Sequence, residues 1–307
     1  MQLNLCLKDI NSKNHKNINT NDKKLTILKY RMKEFLTMDD KFLEGKGAVI
    51  TGGASGFGRG VARAFAERGA KLALIDVNED LLEQTSKEIQ DRYNAKVIPI
   101  VCDVSKSDQV EAMAKQAYNE LENVYILFNN AGIALSYGIN ICRFKEENWD
   151  KVMNTNLKGQ WLVAKAFCRK MKTQKFEPIA GKMVNTASIA GMVVDGGSPV
   201  YSISKTGIIA LTKLLSQTLA PKITVNSISP GLHVTGIFRN SEEEVRLKAE
   251  SGHIKTPLNR VGTVEDVVNL LIFLASPKSN FITGHNFPID GGIAEVGVPP
   301  NYIKSNI

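Results

Sequence analysis

Over residues 43–297 the chain alternates between short apolar runs and longer amphipathic stretches. The runs are GAVIT (47–51), LALID (72–76), VIPIV (97–101), YILFN (125–129), MVNTA (183–187), TVNSI (224–228) and HNFPID (285–290). Runs this short, bounded by Gly, Asp or Asn, read as buried parallel strands. The stretches between them, such as VARAFAERGA (61–70) and DLLEQTSKEIQDRY (80–93), read as helices. Strand and helix repeated this often predict an α/β fold, a doubly wound parallel sheet with helices on both faces. No internal repeat or linker divides the pattern, so residues 42–307 are expected to form a single domain.

Residues 1–41 break the pattern. Ile10 to Lys24, INSKNHKNINTNDKK, holds too few apolar side chains to offset the entropy of ordering, and reads as a disordered extension. Leu25 to Leu36 has some helical periodicity. Translation from Met32, or a true arm in which Tyr30 to Phe42 folds over the cofactor or a neighbouring subunit, both fit this segment.

Composition narrows the function. No window of eighteen apolar residues predicts a membrane span, and MQLNLCLKDI lacks the three-part pattern of a signal peptide. The four cysteines, Cys6, Cys102, Cys142 and Cys168, show no paired spacing, which argues against disulfides or a metal site and for a reducing, cytoplasmic setting. The net charge is +8, but residues 1–41 carry nine Lys/Arg against five Asp/Glu. The excess on the body is spread thinly, with no stripe of the kind that binds nucleic acid.

Chemistry collects at the strand ends. The first run enters TGGASGFGRG, where Gly52, Gly56 and Gly58 permit a tight strand-to-helix turn and a close backbone approach. The helix that follows points free N–H groups at whatever lies there, and a pyrophosphate fits. Ser55 and Phe57, inside the turn, are assigned to the same contact. A tight turn without a ligand would look similar, but the second run ends in Asp76, whose carboxylate can accept the hydroxyls of an adenosine ribose and repel a 2′-phosphate. NAD is therefore expected over NADP. Asp76 could instead cap the next helix, a role also open to Asn78. After the third run, Asp103 and Val104 are placed beside the adenine. After the fourth, Asn129, Asn130, Ala131 and Gly132 let the backbone approach a ligand, although both segments could merely close loops.

Tyr201 and Lys205 stand at i and i+4, on one helix face. A nearby ammonium is expected to lower a phenol's pKa and fit it for proton transfer. A surface Tyr–Lys pair has the same spacing. Ser188, thirteen residues before Tyr201, raises the catalytic reading, because its hydroxyl can hold the same substrate oxygen.

In this order and spacing, Thr51-Gly52-xxx-Gly56-x-Gly58, Asn129-Asn130-Ala131-Gly132, Asn185-xx-Ser188 and Tyr201-xxx-Lys205 resemble the short-chain dehydrogenase/reductase family over about residues 43–297. The resemblance implies a Rossmann fold with Tyr201 as acid/base. Lys205 lowers its pKa and binds the nicotinamide ribose, Ser188 polarises the substrate oxygen, and Asn156 holds a water in a proton relay. It implies that Pro230, Gly231, His233 and Thr235 meet the nicotinamide amide, with His233 departing from the usual Ile or Val and acting through its backbone. It also implies a homotetramer or homodimer built partly on the helices after the fourth and fifth strands.

The expected reaction is hydride transfer between NAD(H) and a secondary alcohol or ketone, a small-molecule substrate. Gly236 to Pro257 should cover the pocket and Met192, Val193 and Val194 line it. That wall is apolar and lacks an Arg cluster, which suits a bulky ketone such as a hydroxysteroid, then a polyol or sugar. An NADP-dependent ketoacyl carrier-protein reductase and a non-enzymatic NAD sensor are the competing readings. Asp76 argues against the first, and the presence of both Tyr201 and Lys205 against the second.

The polar run before Tyr30 has little to bury, so deleting residues 1–29 should leave turnover and melting temperature unchanged. A clear loss of either would overturn this reading of the extension.

Overall fold

Seven strands build one sheet: β1 (Gly47–Thr51), β2 (Lys71–Asp76), β3 (Val97–Val101), β4 (Ile126–Asn129), β5 (Gly181–Thr186), β6 (Ile223–Pro230) and β7 (Asn286–Ile289). In this computed structural model, residues 41–135, 140–193, 198–233 and 256–297 are described. The expectations for residues 1–40 and for Val194 and Thr235 lie outside them, as does nearly all of the Gly236–Pro257 loop.

The strand order is β3-β2-β1-β4-β5-β6-β7 and every pairing is parallel. Successive connections run one way from β1 and the other way from β4. The β1/β4 boundary is therefore the switch point, where a crevice opens beyond the carboxyl ends of the strands. Val49 of β1 lies level with Ala73 of β2 and Leu127 of β4, all fully buried. Burial on both faces explains why β1, β2 and β4 are nearly unbroken apolar runs instead of alternating ones, whereas β5 and β6 bury polar side chains as well.

β5 starts two residues earlier than the apolar run suggested, because it includes Lys182. That side chain is 1% exposed, and its ammonium donates to the Ser276 carbonyl (2.8 Å) and to the Ser279 hydroxyl (2.9 Å). Burial pushes its pKa down to about 8. A charged residue ends an apolar pattern on paper but not in the sheet, provided that its donors find acceptors.

The two outer strands each carry a proline, Pro99 in β3 and Pro288 in β7. The Cys102 amide donates inward to Asp76, so with a period of two the Pro99 nitrogen faces outward. Ile289 accepts from Gly231, which by the same alternation turns Pro288 outward as well.

The helices are α1 (Gly56–Glu67), α2 (Glu79–Tyr93), α3 (Ser107–Leu121), α4 (Glu146–Met153), α5 (Gly159–Lys172), α6 (Pro199–Leu219), α7 (Val264–Ala275) and the short α8 (Ile293–Val296). α1 packs against α2 and α7, whereas α5 packs against α3 and α6. α3 buries Val110, Met113, Ala114, Ala117, Tyr118 and Leu121, the spacing of one helical face. They join Phe167 and Met171 of α5 in the core, where the Tyr118 hydroxyl donates to the Phe167 carbonyl at 3.1 Å. A π-helical turn, Asn154–Lys158, joins α4 to α5.

The helix starts differ in a way that matters for the site. Asn78 caps α2 by accepting from the Leu81 amide, and Thr263 and Asp266 form a capping box on α7. α1 has Ser55 in the cap position, but the hydroxyl makes no capping bond and the first turn holds no acidic residue.

Candidate active site

A cavity of about 350 Å³ opens beyond the carboxyl ends of the strands. Its wall includes Gly52, Ser55, Gly56 and Phe57 from the turn after β1, Asp76 from β2, and Asp103 and Val104 after β3. Asn130, Ala131 and Gly132 enter after β4, Ser188, Tyr201 and Lys205 after β5, and Pro230, Gly231 and His233 after β6. Three of the expected residues stand behind this wall, and the first, Asn129, is buried and donates from Nδ2 to the Gln160 carbonyl at 2.7 Å. Gly58 is buried where α1 meets the turn: a Cβ there would lie 1.9 Å from the Gly52 carbonyl oxygen. Asn156 is fully buried and touches the underside of Gly132.

The glycine turn is built for a close ligand. Gly52 has φ +66°, and a Cβ on it would come 2.9 Å from Asn130 Nδ2. Together with the uncapped, acid-free start of α1, this leaves free amides and the positive end of the helix dipole beside a cavity. A pyrophosphate matches that donor set.

Asp76 does not cap α2, since Asn78 does. Its Oδ1 accepts from the amides of Val77 (2.8 Å) and Asn78 (3.1 Å), and its Oδ2 accepts from the Ala54 amide at 3.2 Å. A carboxylate has about four acceptor positions. Three are used, and the fourth is available to a ligand hydroxyl. Asp103 caps its own turn by accepting from Ser105 N at 2.9 Å while still bordering the cavity.

On the β5 side, Lys205 is 1% exposed and donates to the Thr186 carbonyl at 2.7 Å. Its Nζ lies 5.5 Å from the centre of the Tyr201 ring. The expected lowering of the Tyr201 pKa is not what the structure shows. Burial pushes the phenol up to about 12, opposed by a hydrogen bond with Ser188, and burial brings Lys205 down to about 7. Each charged form is stripped of water, and desolvation outweighs the partner. Tyr201 is thus held as a neutral phenol, the form that gives a proton.

Asn156 sits in the π turn and is fully buried. Its Oδ1 accepts from the Ile133 amide (2.8 Å) and its Nδ2 donates to the Ile133 carbonyl (2.9 Å) and to Ser204 Oγ (3.1 Å). Ser204 in turn donates to the Tyr201 carbonyl at 2.7 Å. A Cβ on Gly132 would meet Asn156 Oδ1 at 3.2 Å and Lys205 Nζ at 3.4 Å, so both groups pack close against this glycine.

His233 is buried in a packing role. Its ring stands edge-on to Phe57 at 5.2 Å, lies against Gly262, and places Nδ1 3.1 Å from the Gly231 carbonyl. Burial lowers its pKa, so the imidazole is neutral. Met192 and Val193 do not border the cavity. Met192 turns its sulfur toward Asn286, which donates to it at 3.2 Å, and Val193 is exposed.

Several contributors escaped the sequence reading. Thr186 and Ile133 act through backbone atoms, which leave no side-chain signature. Ser204 sits inside the YxxxK spacing as an ordinary small residue, and nothing in the sequence marks the Asn154–Lys158 turn as π-helical.

A family model described as "Enoyl-(Acyl carrier protein) reductase" matches residues 52–294. The chain belongs to the short-chain dehydrogenase/reductase family of oxidoreductases. It is 34% identical to a 3-oxoacyl-[acyl-carrier-protein] reductase of Chlamydia muridarum, over 83% of this chain and 100% of that protein. Among solved structures it is similar to levodione reductase (31% identity, TM-score 0.76, 82% of this chain and 98% of that one). NAD+-bound xylitol dehydrogenase is another (31% identity, TM-score 0.72, covering 81% and 99%). Among the described residues, no helix is long and apolar enough to cross a membrane, and no three or more His, Cys, Asp or Glu side chains cluster as metal ligands.

The Lys205 shift makes a stability prediction. Folded, the ammonium loses its proton near 7, against an ordinary 10.5. Between these values the unfolded chain binds more protons, so stability rises with pH. Lys182 acts in the same direction, but only above about 8. Unfolding free energy measured at pH 7 and pH 8 should therefore rise in the wild type and rise less in Lys205→Met. An equal rise in the variant would remove Lys205 as its source.

Proposed function

We propose that the chain is an NAD(H)-dependent ketone reductase and secondary-alcohol dehydrogenase. The observation that carries this reading is the placement of the Tyr201 phenol beside Ser188 and Lys205, in the same cavity as the glycine turn and Asp76. Bound NAD(H) would supply or accept the hydride. The chain's own residues do the rest. Ser188 holds the substrate oxygen, and Tyr201 gives it a proton on reduction; on oxidation the Tyr201 phenolate, formed once the phenol has passed its proton on, takes one. Lys205, together with a water that Asn156 would hold as in the family, would return the proton to Tyr201. The start of α1 receives the pyrophosphate, Asp76 the adenosine ribose, and Asn130 to Gly132 leave room for the ligand. Pro230, Gly231 and the His233 backbone receive the nicotinamide amide, as in the family.

Asp76 favours NAD over NADP, because its carboxylate would face the extra phosphate. The similarity to NAD+-bound xylitol dehydrogenase points the same way. The proposed substrate is a ketone. A hydroxysteroid rests only on the apolar character of the Met192–Val194 segment, and the compared proteins lend it no support. A second reading is reduction of a 3-oxoacyl carrier-protein thioester with NADPH, favoured by the name of the Chlamydia muridarum relative. The free thiols of Cys102, Cys142 and Cys168 suit a reducing, cytoplasmic setting.

Absorbance of NADH and NADPH, followed with a panel of steroid, polyol-derived, small-ketone and 3-oxoacyl substrates, tests the two readings together. Turnover of a ketone with NADH preferred is expected, and Tyr201→Phe should lower it by about a hundredfold to ten-thousandfold while NADH still binds. A variant as active as the wild type removes Tyr201 from the chemistry. Preference for NADPH with an oxoacyl thioester establishes the second reading instead. We also propose assembly into a homotetramer or homodimer through α5 and α6, where Trp161, Ile203 and Leu214 are exposed. A monomeric molar mass in solution would contradict it.

A further inference from the structure

Thr85 lies in the middle of α2, 1% exposed and outside the cavity wall. Threonine in a helix ordinarily returns its hydroxyl to a carbonyl one turn back. This one leaves its helix and donates to the Ala54 carbonyl at 2.8 Å, 31 residues earlier in the chain. Ala54 is the middle of the glycine turn and is itself 1% exposed.

The turn is gripped at three consecutive points. The Gly53 amide donates to the Ile75 carbonyl at 3.0 Å, the Ala54 amide donates to Asp76 Oδ2 at 3.2 Å, and the Ala54 carbonyl accepts from Thr85. The first two grips come from the end of β2. The third comes from α2 and fixes a different peptide plane, that between Ala54 and Ser55. A trans peptide is rigid, so holding its carbonyl toward α2 sends the Ser55 N–H the opposite way. Ser55 is the cap residue of α1 and borders the cavity together with Gly56 and Phe57.

We infer that Thr85 is a positioning residue for the cofactor: it sets the Ala54–Ser55 peptide, and through it the amides at the start of α1 that receive a pyrophosphate. The inference rests on the dinucleotide reading of the cavity. Without the hydroxyl, the Ala54 carbonyl would be buried with no donor. The cheapest relief is rotation of that peptide, which moves the amides on the cavity side and leaves the core in place.

The test uses Thr85→Val, which keeps the shape and removes the hydroxyl, and Thr85→Ser, which keeps the hydroxyl. Binding of NADH and of ADP-ribose, which carries the pyrophosphate but no nicotinamide, is titrated in each. Thr85→Val should weaken both ligands alike, by about tenfold, the loss expected for one orphaned buried acceptor. At saturating NADH its kcat should stay within about twofold of wild type, because the groups around Tyr201 are untouched. Thr85→Ser should bind like the wild type. If Thr85→Val does not fold, Thr85→Ala takes its place with the same expectation. Unchanged binding in a hydroxyl-free variant, or equal weakening in Thr85→Ser, overturns the inference and leaves the dinucleotide reading standing. Failure of the wild type itself to bind NADH, NADPH or ADP-ribose overturns both.

Discussion

The hydroxyl of Thr51 accepts two consecutive amides, those of Asn130 (2.9 Å) and Ala131 (3.0 Å). It sits where β1 and β4 end side by side and the chain must leave them in different directions. Such a divergence exposes backbone donors that the sheet no longer pairs, and in a buried place each needs a new partner. Asn130 completes the knot, donating from Nδ2 to the Thr51 carbonyl (3.1 Å) and accepting from the Thr186 hydroxyl (3.2 Å). Three strand ends are thereby tied. The Thr186 carbonyl, on the same knot, grips Lys205 and also receives Gln160 Nε2 at 3.1 Å. The strand ends that floor the cavity and the carbonyl that holds the Lys205 ammonium thus belong to one hydrogen-bonded knot at the switch point.

Asp76 borders the cavity, as its place at the end of the second run suggests, but its work differs from the one the sequence presents. The sequence presents it as a carboxylate waiting for a ribose. In the structure most of its acceptor capacity is spent on the chain itself, on Val77, Asn78 and Ala54. The carboxylate that borders the cavity thus also holds the loop beside it, and exchanging it would disturb the loop.

β1, β2 and β4 were legible because they are covered on both faces, so burial writes itself as a nearly unbroken apolar run. Legibility failed where a polar group is buried with its partners supplied from far away, as at Lys182, whose acceptors lie more than ninety residues later. The candidate site was legible where chemistry demands a particular side chain, as at Tyr201, Lys205, Ser188 and the glycines. It was not legible where main-chain atoms do the holding, as at Thr186 and Ile133. The direction of the Tyr201 shift was missed for a related reason. Spacing shows that a lysine is near but says nothing of how little water surrounds the pair.

VIPIV, the run that becomes β3, would be an aggregation hazard if it lay open as a flat, unbroken edge. Its central residue is Pro99, and the absent amide is the one that faces away from the sheet. Pro288 does the same at the opposite margin. A foreign strand laid against either edge would find a missing donor at its middle and leave one of its own carbonyls bare. The sheet is thus finished at both sides by covalent structure: its interior runs are sticky enough to assemble the fold, while its margins refuse recruitment into a larger one.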